Sequence, residues 1–232
     1  MRIIFCNIAY MKNYKGSEND VPESGGSYVS EHADGGERWN FLEDNGKCYG
    51  YFMHDGEIHI ERIDNTTPDG NIVVVWVAKP KGKNPVIVGW YQHAKVYRKM
   101  QTRCGNWEYN VEADAENCHL LPENERNFPI PRASKEGAGK GMGRSSIWYA
   151  DSDYAKNKFV PEVIEYITEK LFREYCRTNQ TEKAVETGQA LEKCENFSKL
   201  PSGEKKVFYN IMLTACEALN LTDLADYYRN KI

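Results

Sequence analysis

The sequence predicts an α+β chain: a curved antiparallel sheet or β-barrel over residues 1–155, then a small all-α unit over 156–232. Three observations predict it. Short β-branched and aromatic runs alternate with Gly, Pro, Asn and Asp clusters through the first part of the chain. From Phe159 the apolar period changes to about 3.6, placing Val160, Val163, Ile164, Ile167, Leu171 and Tyr175 on one helical face. Between the two parts, residues 122–146 carry prolines (Pro122, Pro129, Pro131) and a glycine run from Gly137 to Gly143, the composition of an extended, mobile connection.

In order, Arg2–Ala9 is the first strand, and Tyr10–Gly16 a loop with two tyrosines and two lysines. Residues 17–47 are rich in Gly, Ser, Asp and Glu. They are read as loops around a short strand, with Trp39–Leu42 as the apolar anchor. Cys48–Met53 and Ile58–Ile63 alternate at period two around His54-Asp-Gly-Glu57, which predicts a hairpin. Ile72–Ala78 and Val86–Arg98 are neighbouring strands across a Lys/Pro/Gly turn, and Asn117–Leu121 is one more. Gly89 inside a strand marks a bulge or a close approach to the backbone. In the second part, Pro161 belongs to the first turn of the first helix. Thr181 opens a second helix running through Cys194. Ser202 precedes a third with Val207, Phe208, Ile211, Met212, Ala215, Cys216 and Leu219 in register, and Leu221–Tyr228 is a fourth. The paired helices resemble a tetratricopeptide hairpin, a surface for a protein partner.

With 232 residues, 41% hydrophobic and 28% charged, the composition is that of an ordinary globular protein. A net charge of −4 argues against indiscriminate coating of nucleic acid and leaves room for a local basic face. No signal peptide or membrane span is read, so a cytoplasmic location is expected. The 7 cysteines show no Cys-x-x-Cys pair and are read as reduced thiols, with no metal site. Histidines 32, 54, 59, 93 and 119 show no metal-ligand spacing, and Asp69 has no acid partner at nuclease spacing. No catalytic residue and no cofactor are expected. The glycine loop lacks the Gly-Lys-Ser/Thr ending of a phosphate loop.

A binding function is the better-supported expectation. Between Gly70 and Trp107 there is no acid, while Lys79, Lys81, Lys83, Lys95 and Arg98 are basic. Arg126, Arg132, Lys140 and Arg144 add positive charge in the connection, and this combination suits nucleic-acid phosphates. Trp90-Tyr91 and Trp148-Tyr149 are two Trp-Tyr pairs beside small residues, rings of the kind that stack a base. Trp76, inside Val73–Val77, is read as packing.

Ile3–Lys12, Gly25–Tyr28, Cys48–Tyr51, Val88–Tyr91 with Val96–Arg98, and Leu121–Asp151 with its Arg126, Arg132 and Ser146 resemble the N-terminal domain of certain HNH endonucleases of modification-dependent restriction. That domain is similar to the EVE/YTH branch of the PUA-like superfamily. The resemblance covers residues 1 to about 155 and implies a PUA-like barrel that flips a modified base, DNA more than RNA, into an aromatic cage in a defence setting. It places Trp90, Tyr91, Trp148, Tyr149, Asn7, Tyr10 and Ser146 around the base. Where the nuclease would follow, this chain has only helices: a reader without a cutter. The competing expectation is an adaptor whose helices dock a partner while the sheet is structural.

Overall fold

The computed structural model describes residues 2–23, 36–63, 71–103, 105 and 107–232. The Gly25–Tyr28 motif, Gly35, Asp69 and Cys104 lie outside the described residues. The chain divides into two compact units, residues 1–157 and 158–232.

Unit 1 is built on one sheet of strands β1 (Ile3–Ile8), β2 (Glu43–Asp44), β3 (Lys47–Gly50), β4 (Ile72–Ala78), β5 (Val86–Arg103), β6 (Trp107–Asp114), β7 (Cys118–Leu120) and β8 (Ile147–Trp148). The order is β2-β3-β6-β5-β4-β1-β8, and β7 pairs with β5 off this path. All pairings are antiparallel except β1 with β4, which run parallel from Ile3↔Val73 to Ile8↔Ala78. Every residue of β4 is buried, as its unbroken β-branched run requires of a strand covered on both faces. Ile4, Cys6, Ile8, Val74, Trp76 and Tyr91 join one core layer, with Phe41, Phe52, Ile58 and Ile60 packed into it. Phe5, Val75, Trp90 and Trp148 are buried but belong to the other layer.

The predicted hairpin across residues 48–63 does not form. β3 pairs with β2 and β6 instead, and the chain after it turns inward, burying Ile58 and Ile60 without a ladder. The turn between β2 and β3 is Asn45-Gly46, with φ of 53° and 77°, the left-handed pair that a two-residue hairpin turn demands. β6 was not anticipated from sequence; it alternates apolar positions with Glu108, Asn110 and Glu112. Asn110 is buried, and its amide bonds both polar groups of the Phe52 backbone. Gly89 is a close approach: a Cβ there would lie 2.4 Å from the His119 carbonyl oxygen and 2.6 Å from the Phe41 ring. What approaches it is β7.

Residues 126–144 are tied down rather than loose. The Ile87 N–H donates to the Phe128 carbonyl (3.1 Å) and the Ile130 N–H to that of Pro85 (2.8 Å). Arg132 bridges Met142, and a short helix, Ala133–Glu136, lies between them.

Unit 2 comprises helices Val160–Arg177, Thr181–Glu192, Glu195–Lys199, Ser202–Ala218 and Thr222–Arg229. Phe172, Val185, Leu191, Phe197, Phe208, Met212, Cys216 and Tyr228 make its core. Of the residues expected in register on the third predicted helix, Phe208, Met212 and Cys216 are buried, but Val207 and Ile211 are exposed, at 62% and 39%. No helix among the described residues is long and apolar enough to cross a membrane.

Candidate functional site

One end of the unit 1 sheet gathers most of the chemistry. β1 and β4 run parallel and both finish there, at Ile8 and Ala78. The β4–β5 turn starts at the same end, and β8 enters beside β1 with Cys6↔Ile147. The Asn7 N–H therefore meets the Ser146 carbonyl oxygen at 2.7 Å. Both residues are half-buried. The Ser146 hydroxyl lies 3.5 Å from His54 Nδ1, whose Nε2 is 3.3 Å from the Glu57 carbonyl oxygen. An Nε2–H donating to Glu57 leaves Nδ1 as the acceptor for Ser146. His54, expected in a hairpin turn, reaches Ser146 because residues 51–63 cross the sheet face; no local sequence signal foretells that.

The loop after β1 is held by buried polar groups. The Asp20 carboxylate accepts the backbone N–H groups of Lys12, Asn13 and Tyr14 at 2.7–2.8 Å. The Tyr14 hydroxyl accepts from Met11 N–H and donates to the Ala9 carbonyl. The Ala9 N–H meets buried Glu37, whose carboxyl is pushed up to about 7 by its burial. Arg126 is buried too: it donates to the carbonyls of Leu121, Met11 and Lys12, with its guanidinium near the rings of Tyr10 and Tyr14. It is spent on the fold and leaves the expected phosphate-contacting set. Tyr10 is 6% exposed beneath it, a wall of this loop rather than an open stacking face.

The four rings expected in one cage are divided between two layers. Consecutive residues of a strand point to opposite faces, so Trp90 and Tyr91 part company, as do Trp148 and Tyr149. Tyr91 and Tyr149 lie in the layer of Trp76, with Tyr91 at 5.2 Å from the Trp76 ring. Trp90 and Trp148 share the opposite face, along the row Trp148–Phe5–Val75–Trp90–His119 set by the strand registers. Trp90, 1% exposed, stacks on His119 at 5.6 Å, and Trp148, 8% exposed, packs on Phe5 at 5.0 Å. The Tyr149 hydroxyl accepts the His59 N–H at 2.8 Å, and the Arg62 guanidinium lies 4.2 Å over its ring.

The basic residues divide as well. Lys79, Lys81 and Lys83 are exposed on the β4–β5 turn. The strap bonded to that turn adds exposed Lys140 and Arg144 and half-buried Arg132, which donates to the Gly143 carbonyl at 3.4 Å. From 126 to 144 the one acid is Glu136. Lys95 and Arg98 lie past the β5 bulge, away from this end. Arg98 pairs with Glu61 at 2.5 Å, and the Lys95 ammonium sits 4.6 Å over the Tyr97 ring. Glu61 is held at about 2 by its backbone and its bonds to Arg98 and His59. Arg62–Asp151 and Lys99–Glu57 neutralise further charge nearby. The second half of the acid-free stretch thus meets acids from elsewhere in the chain.

Among the described residues no group of three or more His, Cys, Asp or Glu is placed to hold a metal ion. No family model, curated protein or solved structure matches the chain.

Proposed function

We propose that unit 1 is a non-enzymatic module that binds nucleic acid at the Asn7/Ser146 end of its sheet. The observation that carries the proposal is the backbone joining of the β4–β5 turn to the 126–144 strap. It joins exposed Lys79, Lys81 and Lys83 of the turn to exposed Lys140 and Arg144 of the strap, at the end of the sheet where β1 finishes and the strap leads into Ser146. Exposed cations around a recessed set of donors and acceptors divide the work in the usual way: phosphates are held outside and a base edge is read inside. In this proposal the Ser146 hydroxyl and the His54 ring, which meet at 3.5 Å, supply that edge-reading chemistry, with the Asn7 amide contributing from the neighbouring strand.

The resemblance to EVE/YTH-like domains of the PUA-like superfamily supports a finer reading. In it the base is modified, DNA is preferred over RNA, and the protein serves restriction or antiviral defence from the cytoplasm. An extruded base repays its unstacking most readily where modification has already weakened its pairing. Neither metal nor cofactor enters this proposal. The test is a binding screen with short duplexes and single strands carrying unmodified, methylated or hydroxymethylated bases. Tighter binding to one modified duplex is expected; absence of binding to every probe at low salt overturns the reading.

A second reading has its own observation. Val207 and Ile211 lie four residues apart on one helix and are both exposed. A partner protein docking on unit 2 would cover them. Capture of a defined partner that Val207→Asp abolishes, in a protein that binds no nucleic acid, would favour this adaptor role.

A further inference from the structure

Cys48 lies in β3 and Cys118 opens β7, far apart in sequence but adjacent in the fold. Cys48 is 3% exposed in the sheet core; Cys118 is half-buried and packs against the same cluster. Their meeting is fixed by backbone. β3 runs beside β6 with Cys48↔Ala113, and the Ala115 N–H donates to the Gly46 carbonyl at 2.8 Å. The turn that follows delivers Cys118, whose sulfur is 3.4 Å from the Asp114 carbonyl oxygen. There the two side chains lie against each other, and both the side chain and the backbone of Cys48 act on the Cys118 thiol.

We propose that Cys48 and Cys118 are a peroxide-sensitive dithiol that closes reversibly into a disulfide stapling β3 to β7. The other described cysteines are Cys6, buried in unit 1, and Cys176, Cys194 and Cys216, which pack in the unit 2 cluster. The pair also has the right acid–base bias. Their mutual contact holds the Cys48 thiol below its ordinary value and the Cys118 thiol above it, so Cys48 is the one to ionise and Cys118 the one to resolve, while burial pushes up Cys6, Cys176, Cys194 and Cys216. Thiolate character governs reaction with peroxide, so Cys48 reacts first.

The co-reactant is hydrogen peroxide, which would approach from the side of half-buried Cys118. The Cys48 thiolate attacks one peroxide oxygen, the O–O bond breaks, and the departing hydroxide takes a proton to leave as water. Cys48 is then a sulfenic acid. The Cys118 sulfur attacks Cys48, giving up its proton; the S–O bond breaks and a second water leaves. Two thiols and one peroxide become one disulfide and two waters, with sulfur oxidised and peroxide reduced.

The test treats the full chain with graded hydrogen peroxide, blocks remaining thiols with N-ethylmaleimide and maps peptides without reduction. A linked Cys48–Cys118 peptide should appear before other thiols are consumed and vanish with dithiothreitol. In Cys118→Ser, Cys48 should instead accumulate as a sulfenic acid that dimedone traps. The wild-type map needs no variant to fold. If other thiols oxidise while Cys48 and Cys118 stay reduced, or if Cys48 links elsewhere, the proposal falls.

Discussion

Arg126 donates from Nη1 to the carbonyl oxygen of Met11 at 2.7 Å, across 115 residues of sequence. With the bonds to Lys12 and Leu121, this one buried guanidinium satisfies three carbonyls and locks the loop after β1 to the start of the strap. Arg126→Gln leaves at least one of those carbonyls without a donor and should cost about 1–3 kcal/mol of stability, read as a lower urea midpoint. A variant of native stability that loses only nucleic-acid affinity would return Arg126 to the phosphate-binding set.

Glu37 gives the protein a pH dependence of defined sign. Its carboxyl titrates at 4.5 in the unfolded chain and at about 7 in the fold, because burial penalises the charge. The folded state therefore holds the proton more tightly. The contribution to stability is full below 4.5, fades as pH rises from 4.5 towards 7, and is gone above. Glu37→Gln keeps an acceptor for the Ala9 N–H without the charge. It should flatten the loss between about pH 5 and about pH 8 and gain up to roughly 3 kcal/mol at the upper end. Parallel urea midpoints for the two proteins that fall together with rising pH would show that Glu37 ionises freely.

Trp90 behaves as core. Its ring is 1% exposed, against 0% for Trp76, and each packs on an aromatic neighbour. Trp90→Ala and Trp76→Ala should both destabilise by about 3–5 kcal/mol, visible in thermal melts before any binding is measured. Native melting of Trp90→Ala with lost base preference would restore the cage that the aromatic doublets suggested.

How much was legible follows from what each signal measures. β1, β4 and the first half of β5 announce themselves because strands buried on both faces must be continuously apolar, as Ile72–Ala78 is. The helices of unit 2 follow from a period that needs no tertiary knowledge. β6 hides because its polar positions are satisfied from a distance, Asn110 by the Phe52 backbone. Arg98 reads as a free cation until Glu61 arrives from another segment. The Trp-Tyr doublets mislead for a simpler reason: adjacency in a strand separates side chains rather than gathering them.

The surviving basic set makes a salt prediction. Lys81 and Lys83 are exposed on the β4–β5 turn, whereas Arg98 already faces Glu61. If both lysines touch phosphates, the double variant Lys81→Ala, Lys83→Ala should reduce the log–log salt slope by about 0.7–0.9 per contact. Modified and unmodified probes should weaken equally, because phosphates carry no sequence information. Arg98→Ala should leave the slope unchanged. An unaltered slope in the lysine double variant would remove the turn from the interface.

Base preference should reside in the recessed corner. The Asn7 backbone is fixed by its bond to Ser146, so each side chain can be changed while the β1–β8 pairing persists. Ser146→Ala deletes one hydroxyl, and Asn7→Leu replaces an amide by an apolar group of similar size. Losing a contact that reads a base edge costs about 1–3 kcal/mol of discrimination, roughly tenfold to a hundredfold in the affinity ratio between modified and unmodified duplexes. Weak, salt-sensitive binding should remain in both variants, since the lysines are untouched. Competition titrations at fixed salt measure that ratio directly. Should both variants keep the wild-type ratio, the base is read elsewhere and Asn7 and Ser146 serve only the sheet.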